Sequence, residues 1–357
     1  MPLDPFFAER LRVHRRYVIG QVLGAAKQRL TARWTPVVER ANGTTDRDPS
    51  SRSAARSATA GEVARAKHRR DAFAWDRKEL AEVGTPGPPL RTTEHIVPVR
   101  GFPDVRVRIY HPDAAELPPV CLSFYGGAFR IGGIDSATTD AGCRRRAAAS
   151  GVAIAAVDYA LAPEHRYPTQ VEQAHAALEW LIGHGTEAGV DASRLAVQGT
   201  SAGACLAASL TLVNRDRAGH PLRVQILEVP VVDLTGRHID SRPTWMMGVP
   251  AFLMRRELKS IQRTYLGDLS RAREAYASPL RATSHRGLPP AVILTAEFDA
   301  LRRDGAAYTD ALRRAGVEAV AVQYQGATHD IPVFTGALAA ARHWEAQIVA
   351  ALRTLHE

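Results

Sequence analysis

The chain has 357 residues, of which 45% are hydrophobic, and it carries a formal net charge of +9. This length suits one large domain with an appendage, or two modest domains. No run of about 18 apolar residues occurs, which argues against a transmembrane helix, and the N-terminus lacks the residue order of a secretory signal. The three scattered cysteines lack metal-ligand spacing, so a reducing cytoplasmic location is the plainest interpretation.

The basic charge is concentrated in residues 1–90, where 17 Lys or Arg against 10 Asp or Glu account for +7 of the +9. The rest of the chain is close to neutral, and it contains no basic stripe interleaved with aromatic residues. A basic surface on an appendage is the simplest interpretation, with attraction of an anionic substrate or a membrane surface as the alternative. We therefore expect no nucleic-acid partner and no stable membrane insertion.

The first elements in chain order are two helical stretches separated by a polar segment. Residues 6–30 place apolar side chains on one helix face, which we expect to pack on the same chain, a membrane surface being the alternative. Residues 42–60 are rich in Ser, Thr, Asp and Arg and predict a mobile linker. A second helix is predicted over about 61–83, and TPGPP at 85–89 ends this N-terminal segment of residues 1–90.

From residue 94 onward, short apolar runs alternate with helical stretches. The first runs alternate like strands at a sheet edge, and the later ones are continuous, as in buried parallel strands. This alternation predicts an α/β catalytic domain over 91–357 with a doubly wound, mostly parallel sheet. Residues 235–285, rich in Met, Trp and Phe, predict an inserted helical element. The main predicted strands are 118–125, 151–159, 194–199, 224–232, 290–298 and 318–326, and the helices between and after them are 137–150, 169–184, 202–216, 301–315 and 335–354.

One strand leads directly into the sequence GTSAG at 199–203. The small residues two positions before and after Ser201 permit a tight strand-to-helix turn. Such a turn exposes the serine at a helix N-terminus, where free N–H groups favour developing negative charge. Ser201 is therefore predicted to be a nucleophile, and an ordinary glycine-rich turn is the alternative.

A serine nucleophile requires a base, which must come from another strand end. His329 follows the strand at 318–326 and is the predicted base. Asp299 follows the strand at 290–298 and is predicted to hold the imidazole tautomer, with Asp304 on the next helix as the alternative acid. The chain order Ser, Asp, His is typical of α/β-hydrolases.

Five blocks in the chain resemble those of the bacterial hormone-sensitive-lipase-like esterases (family IV carboxylesterases), which are α/β-hydrolases with a helical cap. The similarity extends over about residues 94–357. The blocks are YGGAF at 125–129, DYALAPEHRYP at 158–168, GTSAG at 199–203, TAEFDALRRDG at 295–305 and GATHD at 326–330.

The resemblance implies a carboxylic ester hydrolase that acts on a small or medium hydrophobic ester and needs no metal and no cofactor. Ser201 would form the acyl-enzyme, His329 would take and return the proton, and Asp299 would orient the imidazole. The oxyanion hole would consist of backbone N–H groups, each worth on the order of 3–4 kcal/mol. These donors belong to Gly126, Gly127 and Ala202.

The resemblance also implies that the N-terminal segment and the insertion at 235–285 form the cap. Its aromatic and methionine side chains would line the substrate pocket, or belong to ordinary core. The sequence leaves the oligomeric state open between a monomer and a homodimer. The candidates for substrate contact are Tyr125, Thr200, Trp245, Met246 and Phe252.

Four positions depart from the family pattern. The family usually has His where Tyr125 stands, Asp where Thr200 stands, and Gly where Ala204 and Asp330 stand. Tyr125 and Thr200 flank the predicted oxyanion hole, and a small displacement of its donors can change the rate strongly. The departures leave two alternatives, a lyase, dehydratase or cyclase reaction at the same site and a non-catalytic ligand receptor. The intact predicted triad argues against the receptor.

Overall fold

The computed structural model describes residues 2–12, 59–113, 117–248 and 250–357. These residues divide into two compact units. One contains residues 3–68, and the other contains residues 69–357 together with Pro2.

Residues 5–12 are helical. The remainder of the predicted helix at 6–30, and the predicted linker up to residue 58, lie outside the described residues. The second predicted helix is present as α1 (Ala60–Val83). The assignment of the N-terminal segment to a cap stays a prediction.

An eight-stranded sheet forms the centre of the larger unit. Its strands are β1 (Thr92–Val97), β2 (Val105–Tyr110), β3 (Pro119–Phe124), β4 (Ala153–Asp158), β5 (Asp191–Thr200), β6 (Leu222–Glu228), β7 (Ala291–Phe298) and β8 (Ala319–Thr328). They follow the order β1-β2-β4-β3-β5-β6-β7-β8. Only the β1–β2 and β2–β4 pairs are antiparallel among these strands. The predicted doubly wound, mostly parallel sheet is confirmed.

Helices follow most of the strands and cover the sheet. The five that alternate with or follow the strands are α2 (Ala137–Ser150), α3 (Thr169–His184), α4 (Ala202–Arg217), α7 (Arg302–Arg314) and α8 (Ala339–Arg353). Two further helices lie between β6 and β7, within the predicted insertion. They are α5 (Ser241–Met246) and α6 (Ala251–Leu266).

The burial pattern of each strand reflects its position in the sheet. Strands β3 and β4 are buried at nearly every residue, because helices cover both faces of a doubly wound sheet. The outer strands β1 and β8 alternate between more and less exposed positions. The carboxyl ends of the central strands therefore form the edge at which polar side chains can meet a ligand.

Candidate active site

Ser201 lies in the turn between β5 and α4, which we call the elbow turn (residues 199–203). Its backbone angles are φ 55° and ψ −113°, a conformation that is unfavourable for a residue with a Cβ. Two hydrogen bonds hold it, from the Ser201 N–H to the Glu228 carbonyl at 2.8 Å and from the Cys205 N–H to the Ser201 carbonyl at 3.1 Å. The turn therefore presents the serine side chain at the start of a helix.

The two glycines of the elbow turn are required by close backbone contacts. A Cβ on Gly199 would lie 2.2 Å from the Gly203 carbonyl oxygen, and one on Gly203 would lie 2.0 Å from the Phe124 carbonyl oxygen. Both distances are far shorter than a van der Waals contact. The spacing seen in the sequence is thus a direct consequence of the tightness of this turn.

The ends of three strands bring Ser201, His329 and Asp299 together. The Nε2 atom of His329 lies 3.0 Å from Ser201 Oγ, and its Nδ1 atom lies 2.8 Å from Asp299 Oδ2. Asp299 is buried, and its Oδ1 atom accepts a hydrogen bond from the Leu301 N–H at 2.9 Å. With the Nδ1 proton donated to the carboxylate, Nε2 is free to accept a proton from the serine.

The electrostatic environment of His329 favours the imidazolium. Burial lowers the pKa of His329, but the charge and hydrogen bond of Asp299, and the charge of Asp330, raise it more strongly, to about 9. The arrangement therefore stabilises a positive charge on this ring, the charge that a general base acquires when it removes a proton.

Asp304, the alternative acid, is hydrogen-bonded to backbone groups and does not contact His329. Its Oδ2 atom accepts hydrogen bonds from the N–H groups of Val232 and Asp233 at 2.9 and 3.0 Å. Burial raises the pKa of Asp304 to about 7. The carboxylate that contacts His329 is that of Asp299, so Asp304 has a structural role in holding the chain that follows β6.

The glycine loop (residues 126–129) approaches the elbow turn closely. A Cβ placed on Gly126 would lie 3.6 Å from the Cβ of Ser201 and 3.1 Å from the Thr200 carbonyl oxygen. Gly127 has φ 138°, and a Cβ there would lie only 2.0 Å from the Ile131 carbonyl oxygen. The loop thus brings its backbone beside the serine.

The N–H of Ala202 is a third backbone group near Ser201, since Ala202 is the first residue of α4. First-turn N–H groups have no partner within their own helix. The use of this N–H and of the glycine-loop N–H groups as oxyanion donors stays a prediction.

The side chains of Tyr125 and Thr200 are engaged within the protein. The Tyr125 hydroxyl donates to the Tyr159 carbonyl at 3.0 Å, and the Tyr159 hydroxyl donates to the Tyr125 carbonyl at 2.8 Å. Their rings stack with centroids 4.2 Å apart. The Thr200 hydroxyl donates to Glu228 Oε1 at 3.0 Å. These contacts support the glycine loop and the elbow turn. Contact of Tyr125 and Thr200 with a substrate stays a prediction.

The remaining candidates for substrate contact lie on the two helices of the insertion. Trp245, Met246 and Phe252 are 75%, 51% and 67% exposed. This excludes the interpretation that they are ordinary core within the described part of the chain. Their contact with a substrate stays a prediction.

Sequence reasoning missed a set of paired charges next to the elbow turn, which we call the ion cluster: Arg145, Arg146, Glu228 and Glu345. All except Glu228 are half-buried. Glu228 is fully buried at the end of β6, and Arg146 pairs with it at 2.8 Å. A signal was present, because a charged glutamate in the largely apolar run VQILEVPVV needs a buried partner. The sequence does not indicate which residue is the partner of Glu228.

Among the described residues, no group of three or more His, Cys, Asp or Glu side chains is suited to hold a metal ion. The helices of the same residues include none with the length and apolar character needed to cross a membrane. The three cysteines are free and buried. The cytoplasmic location, the lack of a nucleic-acid partner and the oligomeric state stay predictions.

Residues 121–333 match the model of a family described as having the alpha/beta hydrolase fold. Esterase LipI of Mycobacterium tuberculosis is 35% identical over 257 residues, which cover 70% of this chain and 78% of the relative. Carboxylesterase NlhH of the same organism is 36% identical over 251 residues, which cover 68% of this chain and 76% of the relative. An ethyl acetate hydrolase of Pseudomonas putida is 34% identical, with 63% of this chain and 70% of the relative covered.

Solved structures of esterases have the same fold. The hyperthermophilic esterase of Pyrobaculum calidifontis matches with a TM-score of 0.75 and 29% identity, and the match covers 100% of this chain and 99% of that chain. The thermostable carboxylesterase EstE1, cloned from a metagenomic library, matches with a TM-score of 0.72 and 33% identity, covering 82% of this chain and 98% of that chain.

Proposed function

Because the chain belongs to the hormone-sensitive-lipase-like family of α/β-hydrolases and is a carboxylic ester hydrolase, we propose that it cleaves small or medium hydrophobic esters through an acyl-enzyme on Ser201. The observation that carries the proposal is the hydrogen-bonded sequence Ser201 Oγ, His329 Nε2, His329 Nδ1 and Asp299 Oδ2, with separations of 3.0 and 2.8 Å.

In the first half of the reaction, Ser201 Oγ attacks the carbonyl carbon of the ester while His329 Nε2 takes the serine proton. The carbonyl π electrons move to the oxygen, which becomes an oxyanion. When the tetrahedral intermediate collapses, the bond to the alcohol oxygen breaks, and His329 gives that oxygen its proton. Asp299 stabilises the imidazolium at each stage.

In the second half, water replaces the alcohol. His329 removes a proton from the water, whose oxygen attacks the acyl carbon, and the second tetrahedral intermediate releases the carboxylic acid and returns the proton to Ser201. The backbone N–H groups of Gly126, Gly127 and Ala202 are the proposed donors to both oxyanions. Donors of this kind are worth on the order of 3–4 kcal/mol each, because they are already oriented when the charge develops.

The proposed substrate class is supported by the relatives and by the exposed side chains of the insertion. The relatives include proteins named ethyl acetate hydrolase and arylesterase. Trp245, Met246 and Phe252 offer apolar surface, and we propose that they contact the acyl or alcohol group. A lyase or a receptor is not favoured, because the curated and structural relatives described above are esterases.

The experiment that tests this proposal measures hydrolysis of p-nitrophenyl esters of graded acyl length by the wild type and by Ser201→Ala. We expect kcat to fall by about 10⁴-fold or more, since loss of a triad member removes the nucleophilic route. Ser209→Ala is the matched control, because Ser209 is a buried serine on α4, the helix that follows Ser201. Turnover that survives in Ser201→Ala at wild-type level would overturn the assignment of the nucleophile.

A further inference from the structure

The carboxylate of Glu228 is surrounded by hydrogen-bond donors from three other parts of the chain. Arg146 approaches both oxygens, at 2.8 Å from Oε1 and 3.0 Å from Oε2. Trp344 Nε1 donates to Oε2 at 2.6 Å, and the Thr200 hydroxyl donates to Oε1 at 3.0 Å. The side chain of Glu228 has no exposed surface.

Burying such an ion pair is unfavourable unless its hydrogen bonds are satisfied. Removal of two charges from water costs several kcal/mol per ion, on the order of what their attraction returns, and well-packed apolar residues often stabilise a fold as well or better. In the ion cluster, Arg146 also contacts Glu345 at 3.3 Å, and Glu345 contacts Arg145 at 3.3 Å. The fold therefore keeps a fully buried glutamate and its arginine at a place where apolar side chains would stabilise it as well.

The location of Glu228 indicates a use for this arrangement. Its backbone carbonyl accepts the N–H of Ser201 at 2.8 Å, and its carboxylate accepts the hydroxyl of Thr200. One residue thus holds two consecutive residues of the elbow turn, one through its main chain and the other through its side chain. The strained φ of 55° at Ser201 needs such support from its surroundings.

The elbow turn in its turn contacts the glycine loop. The Thr200 carbonyl oxygen lies 3.1 Å from the position of a Cβ on Gly126. A rotation of Thr200 would therefore displace Ser201 Oγ relative to His329 and to the backbone amides of Gly126 and Gly127 together. The hydrogen bond from Thr200 to Glu228 opposes that rotation.

We propose that Glu228 is a positioning residue for the hydrolysis reaction, which acts through Thr200. Its carboxylate, fixed by Arg146 and Trp344, holds Thr200 and with it the geometry of Ser201 and the glycine loop. The proposal rests on the proposed function of Ser201 as nucleophile. It predicts a loss of kcat with little change of KM, because the geometry of the reacting atoms changes while the substrate pocket does not.

The experiment compares Thr200→Val with Thr200→Ser. Valine keeps the shape of threonine and removes the hydrogen bond to Glu228, and serine keeps the hydroxyl. For p-nitrophenyl butyrate, we expect kcat to fall by about 10-fold to 100-fold in Thr200→Val, because displacements near 1 Å have effects of this order. KM should stay within about twofold and Thr200→Ser should retain most of the wild-type kcat.

Thr295→Val is the matched control. Like Thr200, Thr295 lies in a strand and donates its hydroxyl to another strand, here to the Val322 carbonyl, but it is buried and lies away from Ser201 in the sequence. The kcat of the Thr295→Val variant should equal that of the wild type. If Thr200→Val and Thr295→Val have the same kcat as the wild type, the positioning role of Glu228 is wrong.

Two further measurements separate the outcomes. Glu228→Leu, which removes the acceptor of the Thr200 hydroxyl, should lower kcat, and Thr200→Val in the Glu228→Leu background should lower it no further, because the two residues act through one hydrogen bond. Additive losses would overturn the proposal, and Thr200→Val tests it even where Glu228→Leu does not fold. Labelling of the wild type with an alkyl phosphonate ester, located by mass spectrometry, tests the proposed function itself. A wild type without turnover or label at Ser201 contradicts that function, whereas an active, labelled wild type with a fully active Thr200→Val contradicts only the role of Glu228.

Discussion

The elbow turn and the glycine loop are supported by two different kinds of contact. Behind the elbow turn, Thr200 is held by the buried carboxylate of Glu228, which is paired with Arg146. Behind the glycine loop, Tyr125 is held by a neutral aromatic pair, in which it and Tyr159 stack and exchange two hydroxyl-to-carbonyl hydrogen bonds. The first support thus holds the residue before Ser201, and the second holds the residue before the glycine loop.

The difference teaches how the two supports should respond to change. A neutral hydrogen bond contributes about 0.5–1.5 kcal/mol net to the free energy of unfolding. An aromatic pair contributes about 0.5–1.5 kcal/mol in addition to the effect of burying its surface area. A buried charge whose partner is removed is left without compensation, which is far more costly. The elbow side should therefore be sensitive to loss of a charge, and the loop side should tolerate gradual changes of shape.

The largest expected effect comes from breaking the charged support. Arg146→Met removes the cation that pairs with Glu228 and leaves this fully buried carboxylate without an oppositely charged partner, while Glu345 keeps Arg145. We expect the free energy of unfolding to fall by about 3–5 kcal/mol at pH 7. The measurement is urea-induced unfolding of the variant and the wild type, followed by circular dichroism.

Arg144→Met is the control for that experiment. Arg144 lies on the same helix and pairs with Asp140 at 2.7 Å, but both side chains are partly exposed. Loss of such a pair costs about 0.2–1 kcal/mol, and loss of the contact of Arg144 with the Tyr110 ring costs about 0.5–1 kcal/mol more. If the free energy of unfolding falls equally in the two variants, the Arg146–Glu228 pair stabilises the fold no more than a part-exposed pair does. The contrast between the two supports would then be wrong.

The neutral support is tested by Tyr125→His. The imidazole lacks the reach of the phenol, so the hydrogen bond to the Tyr159 carbonyl is lost and the stacked area shrinks. We expect the fold to be retained and kcat to fall by about tenfold, since the following residues are those of the glycine loop. Hydrolysis of a series of p-nitrophenyl esters measures this change.

Tyr125→Phe serves as its control, because phenylalanine keeps the stacked ring and loses only the hydroxyl. We expect a loss of about 1 kcal/mol in unfolding free energy and a kcat closer to that of the wild type. If Tyr125→His hydrolyses every ester as fast as the wild type, the tyrosine is a neutral variation and the glycine loop does not depend on it.

The sequence could predict features whose causes are local. The elbow turn follows from the steric requirement at Gly199 and Gly203, and the proximity of Asp299 and His329 follows from the rule that polar residues after parallel strands share one edge of the sheet. Asp299 could be preferred over Asp304 for the same reason, since Asp304 lies within a helix.

The sequence could not predict the two supports. Arg146, Glu228 and Trp344 come from a helix, a strand and another helix that are far apart in the chain, so their contact depends on how the layers pack. Likewise, nothing in the pattern of YGGAF specifies that Tyr125 bonds to Tyr159. The exposure of Trp245 could not be predicted either, because an aromatic residue in an inserted helix suits core and surface equally.

The smallest expected effect concerns the proposed base, His329, and neither of the two supports. The pKa of His329 is lowered by burial and raised to about 9 by Asp299 and Asp330. Only the neutral ring can accept the serine proton, so kcat/KM should fall as the pH drops below the pKa of His329. Asp330→Asn removes one charge that favours the imidazolium, so the acidic limb should move to lower pH by less than about one unit. At pH 7 this variant should consequently be faster than the wild type.

The same pH profile sharpens the comparison of the two supports. Thr200→Val and Tyr125→Phe neither remove a charge near His329 nor add a titratable group, so the acidic limb should stay in place in both while kcat/KM falls in Thr200→Val. An acidic limb that moves in either variant would mean that the support acts on the base electrostatically. An acidic limb that does not move in Asp330→Asn would mean that this exposed carboxylate is screened by solvent, and that Asp299 alone sets the protonation of the ring.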